Sequence, residues 1–170
     1  ILLNAEKHQL MDIVAERFLR EKRNSDILAA ILGYALEARC GEGGTHMNGV
    51  GHLTKLLLLE LCKRTDRYAL EPDDIELIST AAGLHDIGKV LIPESILKKP
   101  GKLTAAEFEL VKQHTTLGAR LVAEMPAYQN EALVKYIIEI CLRHHERWNG
   151  EGYPDGLRGD ECPIAAQVTA

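Results

Sequence analysis

The stretch Gly83-Leu84-His85-Asp86-Ile87-Gly88-Lys89 sets an imidazole beside a carboxylate, with an ammonium three residues after the acid. A neutral imidazole next to a carboxylate offers two ligands suited to Fe, Mn or Zn. Lys89 adds a positive charge able to bind a phosphate or protonate a leaving oxygen. An isolated His-Asp pair reads more simply as the polar end of a helix. The weight therefore falls on the remaining histidines.

Five of the seven histidines fall at helix ends or on apolar helix faces. His114 lies on a stripe with Leu110, Val111, Leu117 and Leu121; such a residue is more often a hydrogen-bonded core histidine than a ligand. His144 continues the face of Ile137, Ile140 and Cys141, and His145 follows it at the helix exit. Glu42 precedes His46 by four residues, which places both on one face if the helix there begins early. Taken alone, they read as a surface acid on a glycine loop and a helix N-terminal histidine. His52 reads as structural or exposed. Together the pattern favours a metal site at the core of a helical bundle.

The elements that must position these groups follow from periodicity and turn chemistry. Leu10, Ile13, Val14 and Phe18 have helical spacing over residues 5–23. Asn24 or Ser25 can cap a second helix to about Arg39, with Ile27, Leu28, Ile31, Leu32 and Leu36 on one face. The glycines of Gly41-Glu42-Gly43-Gly44 mark a turn before a third helix to about Lys63. Glu71-Pro72-Asp73-Asp74 opens a helix that delivers His85 and Asp86. Residues 90–101, with Pro93 and Pro100, read as irregular. Thr104 and Glu107 form a capping box for a helix reaching about Glu124. Asn130 can cap a helix ending in Arg143-His144-His145-Glu146; residues 148–156 read as a fixed loop, and 163–170 as the first turns of another helix. No strand alternation persists, so the class is all-α, with five or six helices. The expected organisation is an N-terminal linker helix over 1–24 and one domain over 25–170.

Bulk properties narrow the function. A chain of 170 residues suits one domain with a sizeable core. A net charge of −5 argues against DNA or RNA binding through a basic face. Cys40, Cys62, Cys141 and Cys162 form no CxxC pair, which speaks against structural zinc and fits free thiols in a reducing cytoplasm. The apolar run Leu56–Leu59 is too short to span a bilayer, and no signal peptide is visible. The start at Ile1 reads as that of a fragment or a trimmed product.

The ordered blocks His85-Asp86-Ile87-Gly88-Lys89, Ile92-Pro93-Glu94-Ser95-Ile96-Leu97, Lys99-Pro100-Gly101-Lys102-Leu103, His114, His144-His145-Glu146 and Gly152-Tyr153-Pro154 resemble the HD-GYP domain. This is a branch of the HD metal-dependent phosphohydrolases, and the match spans about residues 37–170. The resemblance implies an HD-type helical bundle with two or three divalent cations, Fe or Mn first, with Zn, Ni, Mg or Ca as occupants in a crystal. It implies hydrolysis of cyclic di-GMP to the linear dinucleotide or GMP in the bacterial cytoplasm. By position, the implied ligands are His46, His85, Asp86, His114, His144 and His145, with Glu42 serving a third metal. Asp86 would bridge neighbouring cations. Lys89 would face the scissile phosphate and stabilise charge or protonate the departing ribose oxygen, and Gly152, Tyr153 and Pro154 would shape the substrate pocket.

Three departures qualify the match. Gly49 stands where the family usually has arginine, and Asn149 where aspartate is frequent. The family's closing metal-binding aspartate is expected on a helix beyond Ala170, so the site is read as incomplete and the fragment as impaired. Two alternatives follow: hydrolysis of another cyclic dinucleotide such as cyclic GMP-AMP, and a non-catalytic cyclic di-GMP sensor or adaptor. The resemblance also suggests an upstream receiver or sensor domain, docking on a diguanylate cyclase, and a homodimer.

Overall fold

A computed structural model describes the backbone of residues 2–40 and 46–170, and the side chains of 11–25, 27–36, 38–40 and 49–170. Among these residues the protein is all-α. Helices run over Leu2–Cys40 (α1), His46–Arg64 (α2), Pro72–Ala82 (α3), Glu94–Leu97 (α4), Ala105–Lys112 (α5), His114–Ala123 (α6), Ala132–Arg143 (α7) and Ile164–Thr169 (α8). Short 3₁₀ turns occupy Ile87–Leu91, Pro126–Tyr128 and Gly159–Glu161. The only extended pairing among the described residues is a bridge between Asn149 and Arg158. No helix among them is long and apolar enough to cross a membrane.

The chain divides into two compact units, Ile1–Leu32 and Gly33–Ala170. In the first, one helix replaces the two expected. No glycine or proline interrupts residues 2–32, and the Ser25 hydroxyl donates to the Glu21 carbonyl at 3.1 Å instead of capping a new start. Over the described residues 11–25 and 27–32 its large apolar side chains are exposed, among them Ile13, Val14, Phe18, Leu28 and Ile31.

In the second unit α3, α6 and α7 surround the core, flanked by α2 and α8. Leu58, Ile78 and Ile140 are fully buried in it. Burying each such side chain contributes roughly 1.5–3 kcal/mol. Tyr136 of α7 donates to Asp74 of α3 at 2.8 Å, and Ser79 of α3 donates to the Gly51 carbonyl of α2 at 2.9 Å, fixing the helix registers.

The expected starts of two helices are present. Pro72 stands in the first turn of α3, where Asp74 accepts the Glu71 amide. Thr104 Oγ1 accepts the Glu107 amide, and Glu107 accepts the Thr104 amide at 2.7 Å. Other boundaries differ. The helix expected over 104–124 is two, α5 and α6, joined at Gln113, and Glu131 rather than Asn130 precedes α7. Residues 90–101, read as irregular, contain part of a 3₁₀ turn and all of α4.

Candidate metal centre

Helix α3 stops at Ala82, so His85 and Asp86 lie in the turns beyond it and not on its last turn. The tight turns Leu84 N to Ala81 O and Ile87 N to Leu84 O fold the pair back towards the core. The Gly88 that follows packs against the first turn of α6. A Cβ there would overlap the His114 carbonyl and lie 2.5 Å from the Gly118 amide nitrogen. Only glycine lets the 3₁₀ turn carrying Asp86 touch the helix carrying His114.

The break at Gln113 gives His114 its direction. The buried face of α6 is His114, Thr115, Gly118, Ala119 and Val122. Leu110 and Leu121, expected to share the His114 face, are exposed. His144 caps α7 on the buried side, as its alignment with Ile137, Ile140 and Cys141 predicts.

The side chains then converge. His85 Nε2 stands 3.1 Å from Asp86 Oδ2, and Lys89 Nζ is 2.9 Å from the same oxygen. Asp86 Oδ1 lies 3.2 Å from His114 Nε2 and 3.8 Å from His144 Nε2. His145 is next to both, its ring centroid 4.2 Å from that of His144 and 5.1 Å from that of His114. Two overlapping ligand groups result: His85, Asp86 and His144; and His114, His144 and His145.

Backbone carbonyls set the tautomers. His85 Nδ1 donates to Ala82 O at 2.7 Å, His114 Nδ1 to Val111 O at 2.6 Å, and His144 Nδ1 to Ile140 O at 3.0 Å. A carbonyl only accepts, so each ring carries a proton on Nδ1 and aims Nε2 at the cluster. A carbonyl partner behind the imidazole is the usual support of a metal-binding histidine.

Electrostatics point the same way. Burial, followed by the charges of His85 and His145, pushes His144 down to about 3. Burial, followed by the charge of His114, pushes His145 down to about 4. Both are therefore neutral at physiological pH and able to serve as ligands. Burial alone would raise Asp86, but the His114 and His85 imidazoles and the Lys89 charge outweigh it and hold the acid far below the usual carboxylate range. Burial would lower His85; the hydrogen bond and charge of Asp86 raise it instead.

Asp86 Oδ1 is buried and accepts no hydrogen bond among the described residues. An ionised oxygen buried without a hydrogen bond is costly unless a cation lies beside it. The donor set thus fits a divalent metal, with imidazole and carboxylate ligands. Cys141 is close by, but burial, followed by the Asp86 charge, pushes its thiol up to about 12, and its Sγ donates to Leu84 O at 3.5 Å. It is a core thiol, not a thiolate ligand.

The loop after α7 closes one side of the cluster. Tyr153 stacks on His145, ring centroids 4.6 Å apart and planes 22° from parallel. Gly152 packs on the backbone of residues 145–147, where a Cβ would overlap Glu146 and lie 2.5 Å from the Arg147 amide nitrogen. Its visible role is thus to seat the loop. Pro154 lies beside Tyr153 on the rim of a groove. Glu146 follows the two histidines directly. It is buried, and its carboxylate accepts the amides of Asp155, Gly156 and Leu157 at 2.7, 3.1 and 2.9 Å. An acid directly after two core-edge histidines, with a glycine turn downstream, is a weak sequence signal for such a clamp. Glu42 and the side chain of His46 lie outside the described residues. His52 is exposed.

A family model described as HD domain matches residues 10–170. The chain is 40% identical over 174 residues to a probable cyclic di-GMP phosphodiesterase of Vibrio cholerae, covering 100% of this chain and 39% of that protein. It is 39% identical over 163 residues to a cyclic di-GMP phosphodiesterase of Thermotoga maritima, covering 95% and 41%. A 3'3'-cGAMP-specific phosphodiesterase 2 of Vibrio cholerae is 37% identical over 150 residues, covering 88% and 26%. The chain spans well under half the length of these curated relatives.

Proposed function

We propose, from the premise that the chain belongs to the HD domain family, that it carries the catalytic centre of a metal-dependent phosphodiesterase hydrolysing cyclic di-GMP to the linear dinucleotide or GMP. The observation that carries this is the convergence of three carbonyl-anchored imidazoles on the buried Asp86, with Lys89 alongside. The names of the Vibrio and Thermotoga relatives support the substrate class.

In this reading His85, Asp86, His114, His144 and His145 hold two or three divalent cations, Fe or Mn first, with Glu42 and His46 completing the set. When bound, such ions supply Lewis acidity towards phosphate oxygens and acidify a nearby water. The residues of the chain do the rest. The carbonyls behind His85, His114 and His144 keep Nε2 available for coordination. Asp86 sets the charge of the centre. Lys89, held 2.9 Å from Asp86, donates to a non-bridging oxygen or protonates the departing ribose oxygen. Tyr153 braces His145, and Glu146 holds the loop that carries Tyr153. Gly152, Tyr153 and Pro154 bound the substrate pocket.

The same reading sets the protein in bacterial second-messenger signalling in the cytoplasm, with residues 1–24 transmitting from an upstream sensor or receiver domain. The deciding experiment is cyclic di-GMP hydrolysis by the protein loaded with Mn or Fe(II). Activity persisting in the His85→Ala/Asp86→Ala double variant would overturn the assignment. The cGAMP-specific relative favours one second reading, a hybrid cyclic dinucleotide as substrate, which a substrate panel separates.

A further inference from the structure

Beside the metal centre a groove of about 350 Å³ opens between α5, the start of α6 and the Tyr153-Pro154 turn. Lys112, the last residue of α5, stands two positions before the candidate ligand His114. Its ammonium lies 5.4 Å from the Tyr153 ring centroid and 5.1 Å from that of Phe108, and 2.7 Å from the carboxylate of Glu109. The side chain of Glu109 is 67% exposed, and Lys112 is more enclosed at 28%. As a helical surface pair these two residues contribute little to stability. Their setting is unlike that of the other surface pairs among the described residues. They line a groove that also contains an aromatic ring, and that ring rests on a metal-site histidine.

An aromatic face flanked by an acceptor and a cation matches the edge of one nucleobase. Guanine presents two adjacent N–H donors, at N1 and N2, to a carboxylate, and two acceptors, O6 and N7, to a cation. Adenine offers a single donor group beside an unprotonated ring nitrogen, so it satisfies the carboxylate poorly and lacks O6. Bases also stack on tyrosine rings irrespective of sequence, which supplies affinity without discrimination. The groove lies one ring away from the ligand cluster through Tyr153 and His145, so a base there remains joined through its ribose to a phosphate at the metals.

We propose that this groove is a guanine subsite, with the base laid on Tyr153 and its edge read by Glu109 and Lys112. The inference rests on the phosphodiesterase reading and adds the residues that select the base. Substrate entry moves the Lys112 ammonium from the tyrosine ring to the base edge.

The test pairs binding with kinetics in the metal-loaded protein. Calorimetry with nonhydrolysable phosphorothioate analogues of cyclic di-GMP and cyclic di-AMP gives affinities for the wild type, Glu109→Gln and Lys112→Ala. Each substitution removes a charge-assisted hydrogen bond, so cyclic di-GMP affinity falls about tenfold or more and the guanine preference narrows. In turnover the loss appears in KM rather than kcat, and Lys112→Arg recovers part of it. Unchanged affinities and preference in both variants, in a wild type that cleaves cyclic di-GMP, overturn the subsite and leave the proposed function standing. A wild type that neither binds nor cleaves either dinucleotide overturns both.

Discussion

His114 Nε2 and His144 Nε2 face each other at 3.2 Å, while each ring donates from its Nδ1 to a backbone carbonyl. Where both carry lone pairs, that distance is repulsive unless an electrophile lies between or beside them. Asp86 Oδ1, also without a proton, completes the same cluster. The three groups are thus organised for a cation.

Divalent metal should therefore stabilise the fold. At a free concentration of Mn²⁺ a hundredfold above Kd the gain is about 2.7 kcal/mol, and it disappears in excess chelator. Thermal unfolding with and without the ion measures it. His144→Ala, which takes a residue from both ligand groups, should remove most of the shift. An identical shift in that variant would show that the ion binds elsewhere.

Glu146→Gln should loosen the loop without dissolving the bundle. The carboxylate holds three amides, and an amide side chain satisfies fewer of them, at a cost of about 1–3 kcal/mol. Hydrogen exchange should quicken at Asp155, Gly156 and Leu157 and stay slow in α7. Uniform exchange across both segments would assign Glu146 to general stability instead.

Gly88→Ala tests the contact between the Asp86 turn and α6. The added methyl has no room against the His114 carbonyl, so one segment must shift, with a loss of about 1–3 kcal/mol. Because the shift moves Asp86 relative to His114, metal affinity should fall as well. Gly49→Ala is the contrasting substitution. Gly49 lies in α2 with nothing within 4 Å of its would-be Cβ among the described residues, so alanine should stabilise by roughly 0.5–1 kcal/mol. Equal destabilisation by the two would contradict this packing.

Acid stability should depend on Glu107. Its hydrogen bond with Lys99, then those with the Thr104 amide and hydroxyl, hold its carboxyl at about 2, against an ordinary value of 4.5. The folded state therefore binds fewer protons than the unfolded state between these values. The stabilisation is fully present above about pH 4.5 and is lost as pH falls through about 2. The melting temperature of Glu107→Gln should show a shallower decline over that window than the wild type. Parallel declines would remove this residue from the account.

The residue chemistry and helical class were legible in the chain because both are local. Turn formers, capping boxes and apolar spacing act within a few residues, and they identified α3, the start of α5 and the buried face of α7 correctly. The same short-range logic failed where neighbouring helices compete. Asn24 and Ser25 suggested a boundary that the uninterrupted α1 does not honour, and the stripe through Leu110, His114 and Leu121 ignored the break at Gln113.

Sequence alone determined which groups were available: imidazoles, one central carboxylate, a lysine three residues on, and no paired thiols. Only the tertiary structure decided what they face. The contact of Gly88 with α6, the Nε2 atoms of His114 and His144 meeting beside Asp86, and Glu146 holding the distant amides of its own loop all join residues that local periodicity cannot connect. Such relations arise from packing, where burial of one partner dictates the direction of another, and direction is what turns a list of ligands into a site.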